Sequence, residues 1–181
     1  MSKNKQNKND KPSKFMICGT HKCFIHRVYD GDTVYAYIPI LLKTYDYEIK
    51  NNTITSIIDK NTINNNDVNI YDLSIRLYGI DTPEMKPKLN IENRNEIIKK
   101  AITAKEFLEN MILNKDVFIK FVGLDKYGRY LGVIYDYDVY KSLKISPLDD
   151  NNDNNYCMSV NKKMLLGGFA VEYFGGTKKI N

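Results

Sequence analysis

Val34, Ala36, Ile38 and Ile40 alternate along the chain with Thr33, Tyr35, Tyr37 and Pro39. Successive side chains of a strand point to opposite faces, so this period of two predicts a half-buried strand. The alternation returns at Leu73, Ile75 and Leu77 against Ser74, Arg76 and Tyr78, and at Val117, Ile119 and Phe121 against Phe118, Lys120 and Val122. Two further runs, Lys22 to Val28 and residues 130–137, complete five strand candidates. From Glu96 to Leu113, apolar residues at 97, 98, 101, 102, 104, 108, 111 and 112 follow the spacing of a helix with one face on a core. Ser159 has N-cap chemistry for a short helix to Leu166, which Gly167 and Gly168 would end. This order predicts an α+β fold: an OB-fold, five-stranded β-barrel capped by about two to three helices.

Composition and charge refine the picture. The chain has 181 residues, 43% apolar and 27% charged, enough for one packed domain. No apolar run is long enough to cross a membrane as a helix. Six of the lysines and one aspartate fall within residues 1–22, so the net charge of +5 sits at the start and the body is neutral. Residues 1–16 read as a disordered basic tail that attracts polyanions at long range. Residues 17–181 form the expected domain, with Asn-rich insertions near 45–70, a surface loop or extended hairpin, and near 138–157. Met1 to Lys14 lacks the apolar stretch of a secretory signal, and Cys18, Cys23 and Cys157 are too few for a disulfide framework. The expected setting is intracellular, and the expected state a monomer.

Three segments hold charged groups where strands end. Asp30-Gly31-Asp32-Thr33-Val34 can be a plain Asp-Gly turn, or Asp32 can offer oxygen to a hard cation. Arg76 lies opposite the apolar row of its strand, and Asp81, Thr82 and Glu84 follow the strand end. Asp125-Lys126-Tyr127-Gly128-Arg129 can be an ordinary hairpin turn, or can present Lys, Tyr and Arg to a phosphate and a base. Taken together they are more specific. Asp32 and Asp81 can share one divalent ion, Glu84 can position or deprotonate a water, and Arg76 and Arg129 can clamp a phosphodiester. Only four arginines occur in the chain, Arg27, Arg76, Arg94 and Arg129. Two of them stand where lysine would lose the bidentate fork.

On these motifs, in this order and with the long helix between the second and third, the chain resembles the staphylococcal nuclease (thermonuclease-like) family. The resemblance runs from about Phe24 to Tyr173. It implies an OB-fold endonuclease that hydrolyses DNA and RNA with Ca²⁺ and leaves 3′-phosphate ends. It implies that Asp32, Asp81 and the Thr82 carbonyl bind the calcium, that Arg76, Glu84 and Arg129 are catalytic, and that Lys126 and Tyr127 lie beside the nucleotide phosphate. The family's pair of tyrosines after the last helix is not matched; only Tyr173 stands there to contact substrate. The alternative is a non-catalytic, nuclease-like nucleic-acid-binding module, which would not need all five charged groups. A general binder of single strands would need aromatic platforms but not the acidic set.

Cys18, His21, Cys23 and His26 have a spacing that hints at zinc. Strand alternation puts His21 and Cys23 on one face and His26 on the other, so they are expected to be ordinary strand residues.

Overall fold

The computed structural model describes residues 16–41, 45–50, 53–59, 68–142 and 153–175. In chain order its strands are β1 (Gly19–Val28), β2 (Thr33–Leu41), β3 (Tyr45–Lys50), β4 (Thr53–Asp59), β5 (Val68–Leu77), β6 (Ile80–Asp81), β7 (Asp116–Leu124), β8 (Tyr130–Asp136) and β9 (Val171–Glu172). The helices are α1 (Arg94–Ile112), α2 (Tyr137–Ser142) and α3 (Val160–Leu166), with a 3₁₀ segment at Asp153–Met158. β1, β2, β5, β8 and β7 close into a barrel in that order. β5 and β8 run parallel, and β7 returns antiparallel to β1. This is the OB architecture expected from the alternation pattern.

The alternation decides which side chains fill the barrel. Val34, Ala36, Ile38, Ile75, Leu77, Ile119 and Ile134 are fully buried in one cluster, while their neighbours at odd offsets point away. Each fully buried aliphatic side chain of this size contributes about 1.5–3 kcal/mol relative to exposure. Gly132 sits where β8 meets both its neighbours. A Cβ there would lie 2.8 Å from Ile119 and 2.9 Å from Ile75, so the parallel seam closes only over glycine. α1 lays Ala104, Leu108 and Ile112 on the same cluster, and α3 adds Val160 and Met164.

The strand runs are longer than the pattern suggests. β5 begins at Val68, because its first five residues pair along β2 although their side chains are mostly exposed. The first Asn-rich segment contains the β3–β4 hairpin, paired through Tyr45↔Asp59 to Lys50↔Thr53. The start of the second is packed rather than looped. Tyr137 and Tyr140, three apart on α2, stack on Phe118 with centroids 5.4 and 4.2 Å away. Aromatic burial there outweighs the polar composition around it. Of the basic tail expected at 1–16, residues 1–15 lie outside the described residues. Among the described residues no helix is long and apolar enough to cross a membrane.

Asn161 ties α3 to the barrel. Its buried amide donates to the carbonyls of Tyr78 (2.9 Å) and Gly132 (3.1 Å), and its Oδ1 accepts from the Ile134 amide (3.0 Å). Ser159 caps the same helix by accepting from the Lys162 amide at 3.1 Å, as its position suggests. Replacing Asn161 with alanine leaves buried backbone groups without partners, at about 1–3 kcal/mol each. Urea unfolding of Asn161→Ala is therefore expected to show a loss of about 2–5 kcal/mol. A loss below about 1 kcal/mol would show that water or relaxation replaces the amide.

Candidate active site

Three turns meet at one end of the barrel. The first joins β1 to β2. The Asp30 carboxylate accepts from the Asp32 amide at 3.1 Å, and the Asp32 carbonyl accepts from the Leu77 amide at 2.7 Å, which fastens the turn to the end of β5. Gly31 is needed at the tip: a Cβ there would lie 2.9 Å from the Thr82 side chain. The second turn joins β5 to β6 through Gly79, at φ +78°, a conformation that favours glycine. It brings Asp81 back beside Arg76. The third is the β7–β8 hairpin from Asp125 to Arg129, with Gly128 at φ +83°.

Arg76 is the centre of the arrangement. Register places it opposite Thr33, on the outer face of β5. Its Nη1 donates to Asp32 Oδ1 at 2.8 Å and its Nη2 to Asp81 Oδ1 at 2.7 Å, with a longer contact to the Ile80 carbonyl at 3.3 Å. One guanidinium thus bridges two carboxylates from different turns. The Thr82 amide lies 3.3 Å from Asp32 Oδ2 and the Thr33 hydroxyl donates to Asp32 Oδ1 at 3.0 Å. Thr33 Oγ1 in turn accepts from Arg129 Nη1 at 3.3 Å. A continuous polar chain therefore runs from Arg129 through Thr33 and Asp32 to Arg76 and Asp81.

Burial and charge act against each other here. The Asp32 side chain is only 5% exposed. Burial pushes its carboxyl up to about 6; Arg76 and the Thr33 hydroxyl pull it down, and Asp30 and Asp81 add to the rise. Burial alone would lower the pKa of Arg76, but Asp32, Asp81 and Asp30 hold the guanidinium firmly charged. Two carboxylates share one arginine, so the cluster carries excess negative charge. That excess, and the carboxylate oxygens of Asp32 and Asp81, would suit a hard divalent cation better than a soft one. Among the described residues no group of three or more His, Cys, Asp or Glu side chains is arranged to hold a metal ion.

A cleft of about 700 Å³ opens beside this cluster. Arg76, Asp81, Glu84, Lys126, Tyr127, Arg129 and Tyr173 line it, with Phe174. Asp32 and Thr82 are buried and are not among the lining residues. Tyr127 is 74% exposed, with the Lys126 ammonium 5.0 Å and the Arg129 guanidinium 5.8 Å from its ring. Tyr173 is held by its amide on the Gly79 carbonyl at 3.0 Å, and its ring centroid is 6.0 Å from the Arg76 guanidinium. Arg76, Asp81, Glu84, Lys126, Tyr127, Arg129 and Tyr173 thus line one cleft, with Asp32 and Thr82 buried behind it. The Cys/His set is dispersed. Cys23 is buried in the core, where burial pushes its thiol up to about 12. His21 Nε2 lies 2.8 Å from the Cys18 carbonyl, and His26 Nε2 lies 2.9 Å from Asp72.

Two contributors were not legible as such. Thr33 reads as an ordinary strand residue, yet it links Asp32 to Arg129. Asp125 reads as a turn residue, yet it aims Arg129: it accepts from the Tyr127 amide (2.8 Å), the Arg129 amide (2.9 Å) and Arg129 Nε (2.8 Å). An aspartate four residues before an arginine in a tight turn was the available signal. Burial on its own would raise the Asp125 carboxyl, but the Arg129 and Tyr127 hydrogen bonds outweigh it and hold the pKa below the usual 3.8. The folded state therefore binds fewer protons here than the unfolded chain. The resulting stability is present above pH 3.8 and fades as pH falls through the lowered folded value. In urea unfolding from pH 7 to pH 3, Asp125→Asn is expected to be less stable than the parent at pH 7, with the gap narrowing below about pH 4. A gap that stays constant across that range would contradict a charged, hydrogen-bonded Asp125.

No curated protein matches the chain. The family model described as "Staphylococcal nuclease homologue" matches residues 74–180, well over half of the chain. The matched stretch contains Arg76, Asp81, Thr82, Glu84, the Asp125–Arg129 hairpin and Tyr173, while Asp32 precedes it. With a closed OB barrel and this segment in common, the chain belongs to the staphylococcal nuclease family.

Proposed function

We propose that the protein is a calcium-dependent nuclease, a hydrolase that cleaves phosphodiester bonds of DNA and RNA to leave 3′-phosphate ends. The observation that carries this reading is the Arg76 guanidinium bridging Asp32 and Asp81 at the wall of a cleft, with Arg129 tied to the same carboxylate through Thr33. Asp32, Asp81 and the Thr82 carbonyl would hold the ion, and its charge, when bound, would polarise a phosphoryl oxygen.

The chain's own residues then have distinct roles. Arg76 would turn one arm of its fork from a carboxylate to a phosphate oxygen of the substrate. Arg129, aimed by Asp125, meets a second phosphate oxygen, and the two forks stabilise charge that grows as water attacks phosphorus. Glu84, at the exposed rim of the cleft, orients that water or takes its proton. The bond from phosphorus to the 5′-oxygen breaks, and that oxygen leaves as a 5′-hydroxyl after taking a proton from solvent. Lys126, Tyr127 and Tyr173 hold the nucleotide around the reacting phosphate.

The test is nuclease turnover on a short oligonucleotide. Chelation of Ca²⁺ is expected to abolish it, and Mg²⁺, which needs stricter octahedral geometry and dehydrates reluctantly, is expected to restore it poorly. Arg76→Lys and Arg129→Lys keep the charge but lose the planar fork. Each is expected to lower kcat by about 10²–10³ in a folded protein. Binding of oligonucleotide without any metal-stimulated cleavage would identify the non-catalytic binding module instead. Undiminished kcat in folded Arg129→Lys would reduce that residue to an electrostatic attractor.

A further inference from the structure

The strand face that carries Arg76 continues beyond the cleft. Register pairs Thr33 with Arg76, Tyr35 with Ser74 and Tyr37 with Asp72. Alternate residues share a face. Val34, Ala36, Ile38, Ile75 and Leu77 take the inner one and are fully buried. Tyr35 and Tyr37 therefore follow Arg76 in a row along the outer wall of the barrel. β1 adds two partners to this row. Arg27 pairs with Tyr35, and its guanidinium lies 3.8 Å from the centre of that ring. His26, at the irregularity between Ile25 and Arg27, stacks on Tyr37 at 4.1 Å and 14°. Neither tyrosine ring belongs to the buried clusters, and Tyr37 is 41% exposed.

We propose that Tyr35 and Tyr37 form a stacking track for a single-stranded polynucleotide whose reacting phosphate lies at Arg76. The proposal rests on the nuclease reading above and names the form of its substrate. Three observations carry it. The row is continuous with the cleft, because it lies on the same two strands and the same face. Its rings are supported by Arg27 and His26, which reduces the freedom lost when a base stacks on them, and Arg27 supplies charge for a backbone phosphate. Its spacing selects the strand form. Alternate strand residues lie about 7 Å apart. Stacked bases in a duplex advance only about 3.4 Å per nucleotide. Platforms at the wider interval suit a strand whose bases are splayed one to a ring, and a rigid duplex cannot deliver them.

The experiment compares binding of labelled, cleavage-resistant phosphorothioate-linked two-residue and eight-residue oligothymidylates, and of a phosphorothioate-linked eight-base-pair duplex, in Ca²⁺ buffer by fluorescence anisotropy. The parent protein is expected to bind the eight-residue strand at least about tenfold more tightly than the two-residue strand, and more tightly than the duplex. The double variant Tyr35→Ala/Tyr37→Ala is expected to lose that gain with length, while Tyr35→Phe/Tyr37→Phe keeps it. Tyr35→Leu/Tyr37→Leu retains apolar bulk without an aromatic face. It should behave like the alanine variant, and it decides the matter if the alanine variant does not fold. An unchanged length dependence in the leucine or alanine variant, no length dependence in the parent, or equal affinity for duplex would overturn the track. Cleavage with Ca²⁺ is read separately. Cleavage without a tyrosine-dependent gain leaves the nuclease reading standing and removes the track. A tyrosine-dependent gain without cleavage does the reverse.

Discussion

The guanidinium of Arg76 between the carboxylates of Asp32 and Asp81 is the interaction on which the site depends. Both carboxylates and the arginine are largely withdrawn from water, so each would be costly to bury alone. Together they are tolerated, but not balanced: one positive group answers two negative ones. That imbalance gives the cluster an affinity for further positive charge. Burial is what chiefly raises the Asp32 carboxyl, with Asp30 and Asp81 adding to the rise, and the same carboxylates keep Arg76 firmly charged. The arrangement in turn depends on strand register. Arg76 faces outward only because Thr33 is its partner on β2; a slip of one residue would drive it into the core and expose Ile75.

The rest of the site is organised around the same cluster. The β1–β2 turn supplies Asp32, the Gly79 turn supplies Asp81, and the β7–β8 hairpin reaches it through Arg129 and Thr33. None of these turns is long, and each is tied down by backbone hydrogen bonds to a barrel strand or within its own turn. The charged groups are therefore held by the barrel, while Lys126 and Tyr127 project into solvent beside them. Such a division suits chemistry that needs rigid charge placement and an accessible path for a long substrate.

Much of this was legible in the sequence because the signals are local. Alternation from Thr33 to Ile40 marks β2, and the three-and-four spacing from Ile97 to Ile112 marks α1. Arg76 could be assigned to the outer face from parity alone. The turns were visible in Asp-Gly and Gly-Arg dipeptides. What escaped were relations between distant segments. Nothing local to Thr33 says that its hydroxyl meets Arg129, 96 positions away. Nothing local to Arg76 says that both its carboxylate partners are already engaged with it. β5 was read short because Val68 to Asp72 gain their strand conformation from pairing with β2, not from burial. α2 was missed because its helix is held by stacking on Phe118, against the polar composition of its surroundings.

On the proposed reading, Asp32 and Asp81 form a divalent-cation site that Arg76 holds closed until charge is supplied. Calorimetric titration with Ca²⁺, without nucleic acid, tests it most directly in the parent, in Arg76→Ala and in Asp81→Asn. Removing the competing guanidinium should tighten Ca²⁺ binding by at least about tenfold, since a charge-assisted hydrogen bond no longer has to be given up. Asp81→Asn should weaken it below the parent. Binding of Ca²⁺ that is no tighter in Arg76→Ala, or that is indifferent to Asp81→Asn, would show that Arg76 does not compete for a site built on these carboxylates.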